Sequence, residues 1–299
     1  MVLAYRLAAE AARRLPAALI GPLSAAIGVA GIVAMPHARR MAARHLCRVR
    51  GENPPSRSAQ WAVRRTLASY GRYWLESFRL PYRNDDEIDD GHDVVGFGNI
   101  ADALKAGRGV ILALPHLGGW EWSAFWLARI EHLQVTAVVE PVEPPELFAW
   151  FVAFRQSLGM NIVPLGPDAG RAVLAALRRN EVVCLLADRD LAGNGVDVTF
   201  FGERTTLPAG PATLSLRSGA PILPTAVYFK PHGHLAVVQP PVDTARGGSL
   251  REDIARVTQS LATEFERLIA AAPEQWHLLQ PNWPSDPGFG SHLVGAPTD

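Results

Sequence analysis

The sequence predicts an α/β fold in which a largely parallel central sheet is flanked by helices and preceded by a basic helical N-terminal region. Three observations carry this. Between residues 94 and 284, short β-branched runs alternate with helical stretches of roughly ten to fifteen residues, the rhythm of parallel strands joined by crossover helices. Residues 1–83 lack that rhythm and read as amphipathic helices. The chain has 299 residues, enough to bury one large core, so 1–299 reads as a single unit comprising a helical region (1–83) and an α/β core (94–284).

Taken in order, residues 1–14 set Leu3, Leu7 and Ala11 on one helical stripe, with Arg6, Glu10 and Arg13 off it. Residues 17–36 are uncharged and mildly apolar between Arg13-Arg14 and Arg39-Arg40, which fits a membrane span or an interfacial hairpin. Pro16, Gly21, Pro22, Gly28, Gly31 and the many alanines weaken a span. The expectation is a helix lying on a membrane or packed on the core, and no small-residue cleavage site follows it. Residues 36–50 form a second basic helix, and Gly51-Glu-Asn-Pro-Pro-Ser breaks it. Residues 58–78 turn Trp61, Leu67 or Ala68, Leu75 and Phe78 inward and Arg64, Arg65 and Arg72 outward, with Tyr70, Tyr73 and Trp74 assigned to the core. Residues 84–93 form an acidic connector. Strands are expected at 94–95, 110–114, 135–139, 161–165, 182–187, 222–228 and 235–239, the last two forming a hairpin. Helices are expected up to residue 106 and at 120–130, 145–158, 168–179, 208–218 and 249–271. Residues 188–207 are expected as a loop, and a tail rich in Trp and Pro closes the chain.

The net charge is zero, but residues 1–83 carry fourteen arginines and no lysine against three glutamates, a formal +11. That asymmetry points to an anionic membrane surface. Nucleic acid is disfavoured, because the chain holds no aromatic RNP box or zinc pair. Cys47 and Cys184 show no metal spacing and read as reduced thiols, Cys184 as a small core hydrophobe.

The stretch Gly109-Val-Ile-Leu-Ala-Leu-Pro-His-Leu-Gly-Gly-Trp-Glu121 holds the chemistry. A buried strand ends in a Pro-His turn and leads through two glycines into a helix, and ligands of open α/β sheets bind at such carboxyl ends. His116 and Glu121 lack the spacing of a helical metal site, so no metal is expected. Instead the Glu121 carboxylate is expected to accept from one ring nitrogen of His116, leaving the other as a base. A structural histidine capping the turn is the alternative. No Gly-x-Ser-x-Gly supplies an enzyme nucleophile, so the attacking hydroxyl belongs to the substrate. The amides of Gly118, Gly119 and Trp120, at a helix N-terminus, are candidates for an oxyanion or phosphate site. Glu140, Asp188 and Arg189 stand where neighbouring strands end, and Arg155 is expected to pair with Glu140 or meet a phosphate. Asp188-Arg189-Asp190 reads equally as a self-paired cluster. Gly96-x-Gly98-x-x-Ala101 matches the dinucleotide fingerprint by letter, but the second strand ends in Pro115-His116 where an acid belongs, so no such cofactor is expected. His232, His234, His277 and His292 read as structural or exposed.

The stretch Leu114-Pro-His-Leu-Gly-Gly-Trp-Glu121 resembles the histidine, four residues, acid motif of the lysophospholipid and lipid A late acyltransferases. Ala187-Asp-Arg-Asp-Leu and Val198-Thr-Phe-Phe-Gly-Glu-Arg-Thr-Thr-Leu-Pro-Ala-Gly-Pro-Ala follow in the family's order. The resemblance covers about residues 64–284. The Arg-rich N-terminus and Trp276-His-Leu-Leu-Gln-Pro-Asn-Trp283 are most similar to the phosphatidylinositol mannoside acyltransferases. The resemblance implies acyl-CoA as donor and co-substrate, no bound cofactor, and a mannose 6-hydroxyl of a mannosylated phosphatidylinositol as acceptor. It further implies His116 as general base, Glu121 as motif acid, Asp188 as the group orienting His116, and Glu140 and Arg155 as polar groups of the pocket. The expected location is peripheral, at the cytoplasmic face of the cell membrane. Alternatives are transfer to another glycolipid or to a lysophospholipid, a lipid hydrolase, and a non-catalytic lipid-binding protein.

Overall fold

The computed structural model describes residues 2–52 and 57–290; residues 53–56 of the expected break, and His292, lie outside them. The N-terminal region is helical as expected: α1 (Val2–Arg14), a 3-10 turn (Ala17–Leu19), α2 (Ile20–Ala34), α3 (Pro36–Arg50) and α4 (Arg57–Arg79). Helix α4 is the hub on which α1, α2 and α3 all pack. The buried residues of α2 are Ile20, Ser24, Gly28 and Gly31, a stripe at helical spacing. Small residues there let the backbones approach closely. A Cβ on Gly28 would lie 2.7 Å from the Arg64 carbonyl oxygen and 2.8 Å from the Ala68 Cβ. The opposite face of α2 points outward, with Val33 83% exposed and Leu23 and Val29 also exposed. The 18 residues Ala17–Ala34, of mean hydropathy 2.0, are long and apolar enough to cross a membrane by length and composition, yet 22% of the stretch is buried in the protein.

The acidic connector is a short helix, α5 (Asp85–Asp90), begun by a capping box in which Asn84 accepts from the Glu87 amide and Glu87 accepts from the Asn84 amide. From there the order is β1 (His92–Val95), α6 (Phe97–Lys105), β2 (Val110–Leu114), α7 (Trp120–Arg129), β3 (Val135–Val139), α8 (Pro145–Ser157), β4 (Met160–Pro164), α9 (Ala169–Arg178) and β5 (Val182–Leu186). The expected loop after β5 contains an antiparallel hairpin, β6 (Val196–Phe200) and β7 (Glu203–Leu207). Its two-residue turn, Phe201-Gly202, has positive φ at both positions, 49° and 74°, as tight hairpins require. The chain continues through α10 (Gly210–Ser218), β8 (Ile222–Phe229), β9 (His234–Val238) and α11 (Leu250–Ala271), the last capped by Ser249 and Glu252.

Among the described residues, seven strands form the main sheet in the order β1-β9-β8-β2-β5-β3-β4. Every neighbouring pair is parallel except the β8–β9 hairpin. The central strand β2 is buried throughout, and its side chains alternate between two cores. Ile111 and Ala113 join a core with α9, α10 and α11, whereas Leu112 and Leu114 join one with α6 and α7. Both faces are covered, which is why β2 and β5 read as unbroken apolar runs.

Candidate active site

Strand register creates the central pair. Leu114 lies opposite Leu186 in the parallel β2–β5 ladder. Two residues further along each chain stand His116 and Asp188, so equal strand ends bring the imidazole level with the carboxylate. Asp188 Oδ1 lies 2.5 Å from His116 Nδ1, and a carboxylate only accepts, so Nδ1 carries the proton. Asp188 Oδ2 accepts from the His116 backbone amide at 2.9 Å and from the Trp276 indole N–H at 2.7 Å. The Asp188 side chain is fully buried, whereas that of His116 is 34% exposed, and nothing among the described residues takes its Nε2. Burial opposes ionisation of Asp188, but the adjoining imidazole and the N–H donors outweigh it and hold the carboxyl below its ordinary range.

The hydrogen bond expected from Glu121 to His116 is therefore made by Asp188. The loop Pro115–Gly119 is pinned by bridges from Leu117 to Trp276 and from Gly118 to Val227. Helix α7 starts immediately after it, and Glu121 in its first turn reaches α4 and α8 instead. Its Oε1 accepts from the Tyr73 hydroxyl at 2.5 Å and from Arg155 Nη2 at 3.0 Å, while Oε2 is buried with no partner. Burial and the neighbouring Glu121 charge push the Tyr73 hydroxyl well above its ordinary pKa. Arg155 lies 5.6 Å from the ring centroids of both Trp120 and Phe151.

Arg155 thus pairs with Glu121, and Glu140 with Arg189 at 2.6 Å. The Asp188-Arg189-Asp190 run is not self-paired. Its third member, Asp190, accepts from the amides of Ala192, Gly193 and Gly195 and so shapes the turn into β6. Gly118 is required by a close approach: at φ 59° a Cβ would meet the Val227 carbonyl oxygen at 1.8 Å. Its amide, one of the expected oxyanion donors, is instead engaged by the Gln275 carbonyl at 3.0 Å. Gly119 caps the start of α7, and Trp120 is its first residue.

Sequence reasoning placed none of three further residues at the site, although they meet this pair. Trp276 bonds Asp188; the His277 amide donates to the His116 carbonyl at 2.7 Å; and Asn282 Nδ2 donates to the Asp188 carbonyl at 3.1 Å. Burial and the nearby His116 lower the His277 pKa to about 3, so its ring is neutral at physiological pH, with Nε2 2.9 Å from the Ser69 hydroxyl. Tyr73 was assigned to the core as an apolar helix residue. Only its hydroxyl hinted at more, because a buried tyrosine O–H needs a partner. No group of three or more His, Cys, Asp and Glu side chains able to hold a metal occurs among the described residues.

A small apolar cavity, with room for about one water, lies in the core beneath α7. Leu114 and Trp120 line it at the His116 end. From there it crosses the sheet past Cys184 of β5, Thr225 and Val227 of β8 and Ala236 of β9 to Val94 and His92 of β1. The site therefore offers an oriented imidazole with one free nitrogen and a buried carboxylate behind it.

Comparison with known proteins gives the family. Residues 2–285 match the model of the family described as bacterial lipid A biosynthesis acyltransferase. The chain is 42% identical over 246 residues to a phosphatidylinositol mannoside acyltransferase of Mycolicibacterium smegmatis, covering 81% of this chain and 79% of that protein. It is also 42% identical over 248 residues to the protein of that name from Mycobacterium tuberculosis (strain CDC 1551 / Oshkosh), covering 81% of this chain and 76% of the relative. With a match along nearly its whole length, the chain belongs to the bacterial lipid A biosynthesis acyltransferase family and is an acyltransferase.

Proposed function

We propose that this acyltransferase moves a fatty acyl group from acyl-CoA to the 6-hydroxyl of a mannose on a phosphatidylinositol mannoside, with His116 as general base. The observation that carries the reading is the His116–Asp188 pair: Nδ1 is committed to a buried carboxylate, and Nε2 is left for a substrate proton. The relatives' name supports the acceptor.

In this mechanism Nε2 takes the hydroxyl proton as the sugar oxygen attacks the thioester carbonyl. A C–O bond forms, and the carbonyl oxygen becomes an oxyanion. With the Gly118 amide engaged, the donors for that oxyanion are the Gly119 amide and the first turn of α7, whose N-terminus favours negative charge. The C–S bond then breaks, and His116 returns the proton to the CoA thiolate. Asp188 holds the tautomer and stabilises the imidazolium that forms in between. No covalent acyl-enzyme and no metal take part.

The outward apolar face of α2 and the arginines around it support peripheral attachment at the cytoplasmic face of the membrane, near both lipid substrates. The test is His116→Ala, assayed with palmitoyl-CoA and a mannosylated phosphatidylinositol extract, reading CoA release and product mass. Transfer should be lost while the thermal melt is kept. Near-normal turnover in the variant, or CoA release by the wild type that ignores omission of the glycolipid, refutes the reading.

A further inference from the structure

We propose that Trp276 is a positioning residue for the reaction, its indole N–H holding Asp188 in the orientation and charge state that His116 needs. This rests on the reading of His116 as general base.

The segment after α11 closes over the pair like a clasp. Its Gln275 carbonyl takes the Gly118 amide, its Trp276 indole donates to Asp188 Oδ2, its His277 amide donates to the His116 carbonyl, and Asn282 donates to the Asp188 carbonyl. Three of these contacts only pin backbone. The indole contact differs, because it falls on the carboxylate itself, at 2.7 Å, in a place with no water to substitute: Asp188 is 0% exposed and Trp276 3%. Hydrogen bonds to buried charged groups are among the strong ones, and losing a partner there carries the full desolvation penalty.

The division of labour on Asp188 follows from geometry. Oδ1 is committed to the imidazole. Oδ2 faces two N–H donors, the His116 amide and the Trp276 indole, which prevent the carboxylate from rotating about its Cβ–Cγ bond. The indole also draws negative charge away from Oδ1, moderating how strongly the carboxylate pulls the Nδ1 proton. The tryptophan is in turn held by tilted ring contacts. His45 of α3 lies 5.4 Å from its ring centroid, and Phe201 lies 5.8 Å away. The Nε2 of His45 also reaches the Gln280 carbonyl of the clasp at 2.9 Å.

The test compares Trp276→Phe with Trp283→Phe. Trp283 sits in the same aromatic cluster, edge-on to Trp276 and fully buried, but its indole N–H donates to the Phe200 carbonyl and not to Asp188. Both variants lose an indole and leave a void, so both lose stability. Only Trp276→Phe removes a donor from the carboxylate, which raises the proton affinity of the Asp188–His116 pair as a unit. The expected result is a kcat lowered about tenfold or more, with the acid limb of its pH profile moved to higher pH and the KM for acyl-CoA little changed. Trp283→Phe should keep the wild-type limb. If Trp276→Phe does not fold, benzothienylalanine at position 276, which keeps the ring shape and replaces N–H by sulfur, gives the same comparison. An unmoved acid limb at position 276, or an equal shift in Trp283→Phe, overturns the proposal while leaving the general-base reading to the His116→Ala result.

Discussion

Replacing Asp188 by asparagine isolates the tautomer from the shape of the site, and the structure says how the amide will sit. The side chain at 188 has two oxygens with unequal duties. Oδ2 accepts from two N–H groups, the His116 amide and the Trp276 indole, while Oδ1 meets only His116 Nδ1. An asparagine that turned its NH2 toward the two donors would lose two buried hydrogen bonds, about 1–3 kcal/mol each. Its carbonyl therefore takes the Oδ2 position, and its NH2 faces Nδ1. Nδ1 must then accept, the proton moves to Nε2, and the nitrogen that should take the sugar proton already carries one. The same change in a serine-protease triad leaves the geometry intact and costs about 10⁴ in kcat, or about 5 kcal/mol of transition-state stabilisation. A loss of that order is expected here. Because Asp188 is fully buried and meets no substrate, the loss should fall on kcat and not on the KM for acyl-CoA. Raising the pH should not restore it, since a tautomer is not a titration. Thiol release followed continuously, with thin-layer separation of the acylated glycolipid, measures both constants. A kcat within tenfold of wild type, or a loss carried by KM, would refute the reasoning.

The remaining predictions concern what surrounds the pair. Arg155→Met leaves the Glu121 carboxylate, 2% exposed, with only the Tyr73 hydroxyl for company. Stability should drop by about 3–5 kcal/mol in urea unfolding, and adding Glu121→Leu should recover part of it; a drop below about 1 kcal/mol would mean that water reaches the pair. Val29→Glu with Val33→Glu alters the exposed face of α2 without touching its seat on α4, so co-sedimentation with anionic vesicles should fall about tenfold or more at unchanged melting temperature. Unchanged vesicle binding would refute α2 as a membrane-binding face. Asp286 ties the tail to Arg44 and Arg48. Burial opposes its ionisation, but the Asn282 amide, the two arginines and the nearby His45 lower its pKa from 3.8 to about 2. A depressed folded-state pKa gives stability that is present above the unfolded value and lost as pH falls through the folded one. The wild type should therefore lose stability between about pH 4 and 2 in a way that Asp286→Asn does not, and superimposable pH curves would count against the assignment.

Much of this architecture was legible because it is written in local pattern. Strands β2 and β5 are apolar runs of equal length, each ended by a turn, and that alone brings His116 level with Asp188 once the register is known. The short helix α5 and the hairpin β6–β7 were legible too, although they were expected as a connector and a loop. Asn84 followed by Glu87 is a capping box, and Phe201-Gly202 between alternating β-branched residues is a hairpin turn. What a sequence pattern cannot carry is the choice of partner. Glu121 stands five positions after His116, yet the pinned loop turns it toward Arg155 and Tyr73, 34 and 48 residues away in the chain. Asp188, 72 residues distant, takes the contact that proximity suggested for Glu121.

That long-range pairing changes what the N-terminal helices are for. Charge alone made them a platform beside a finished catalytic core. Tyr73 of α4 supplies a hydrogen bond to the motif acid, Ser69 of the same helix meets the ring of His277, and the ring of His45 of α3 packs against the tryptophan that holds Asp188. Arg44 and Arg48 grip the end of the clasp through Asp286. A site whose orienting groups come from both regions cannot be assembled by either alone. Whatever shifts α3 or α4 acts on the carboxylate behind His116.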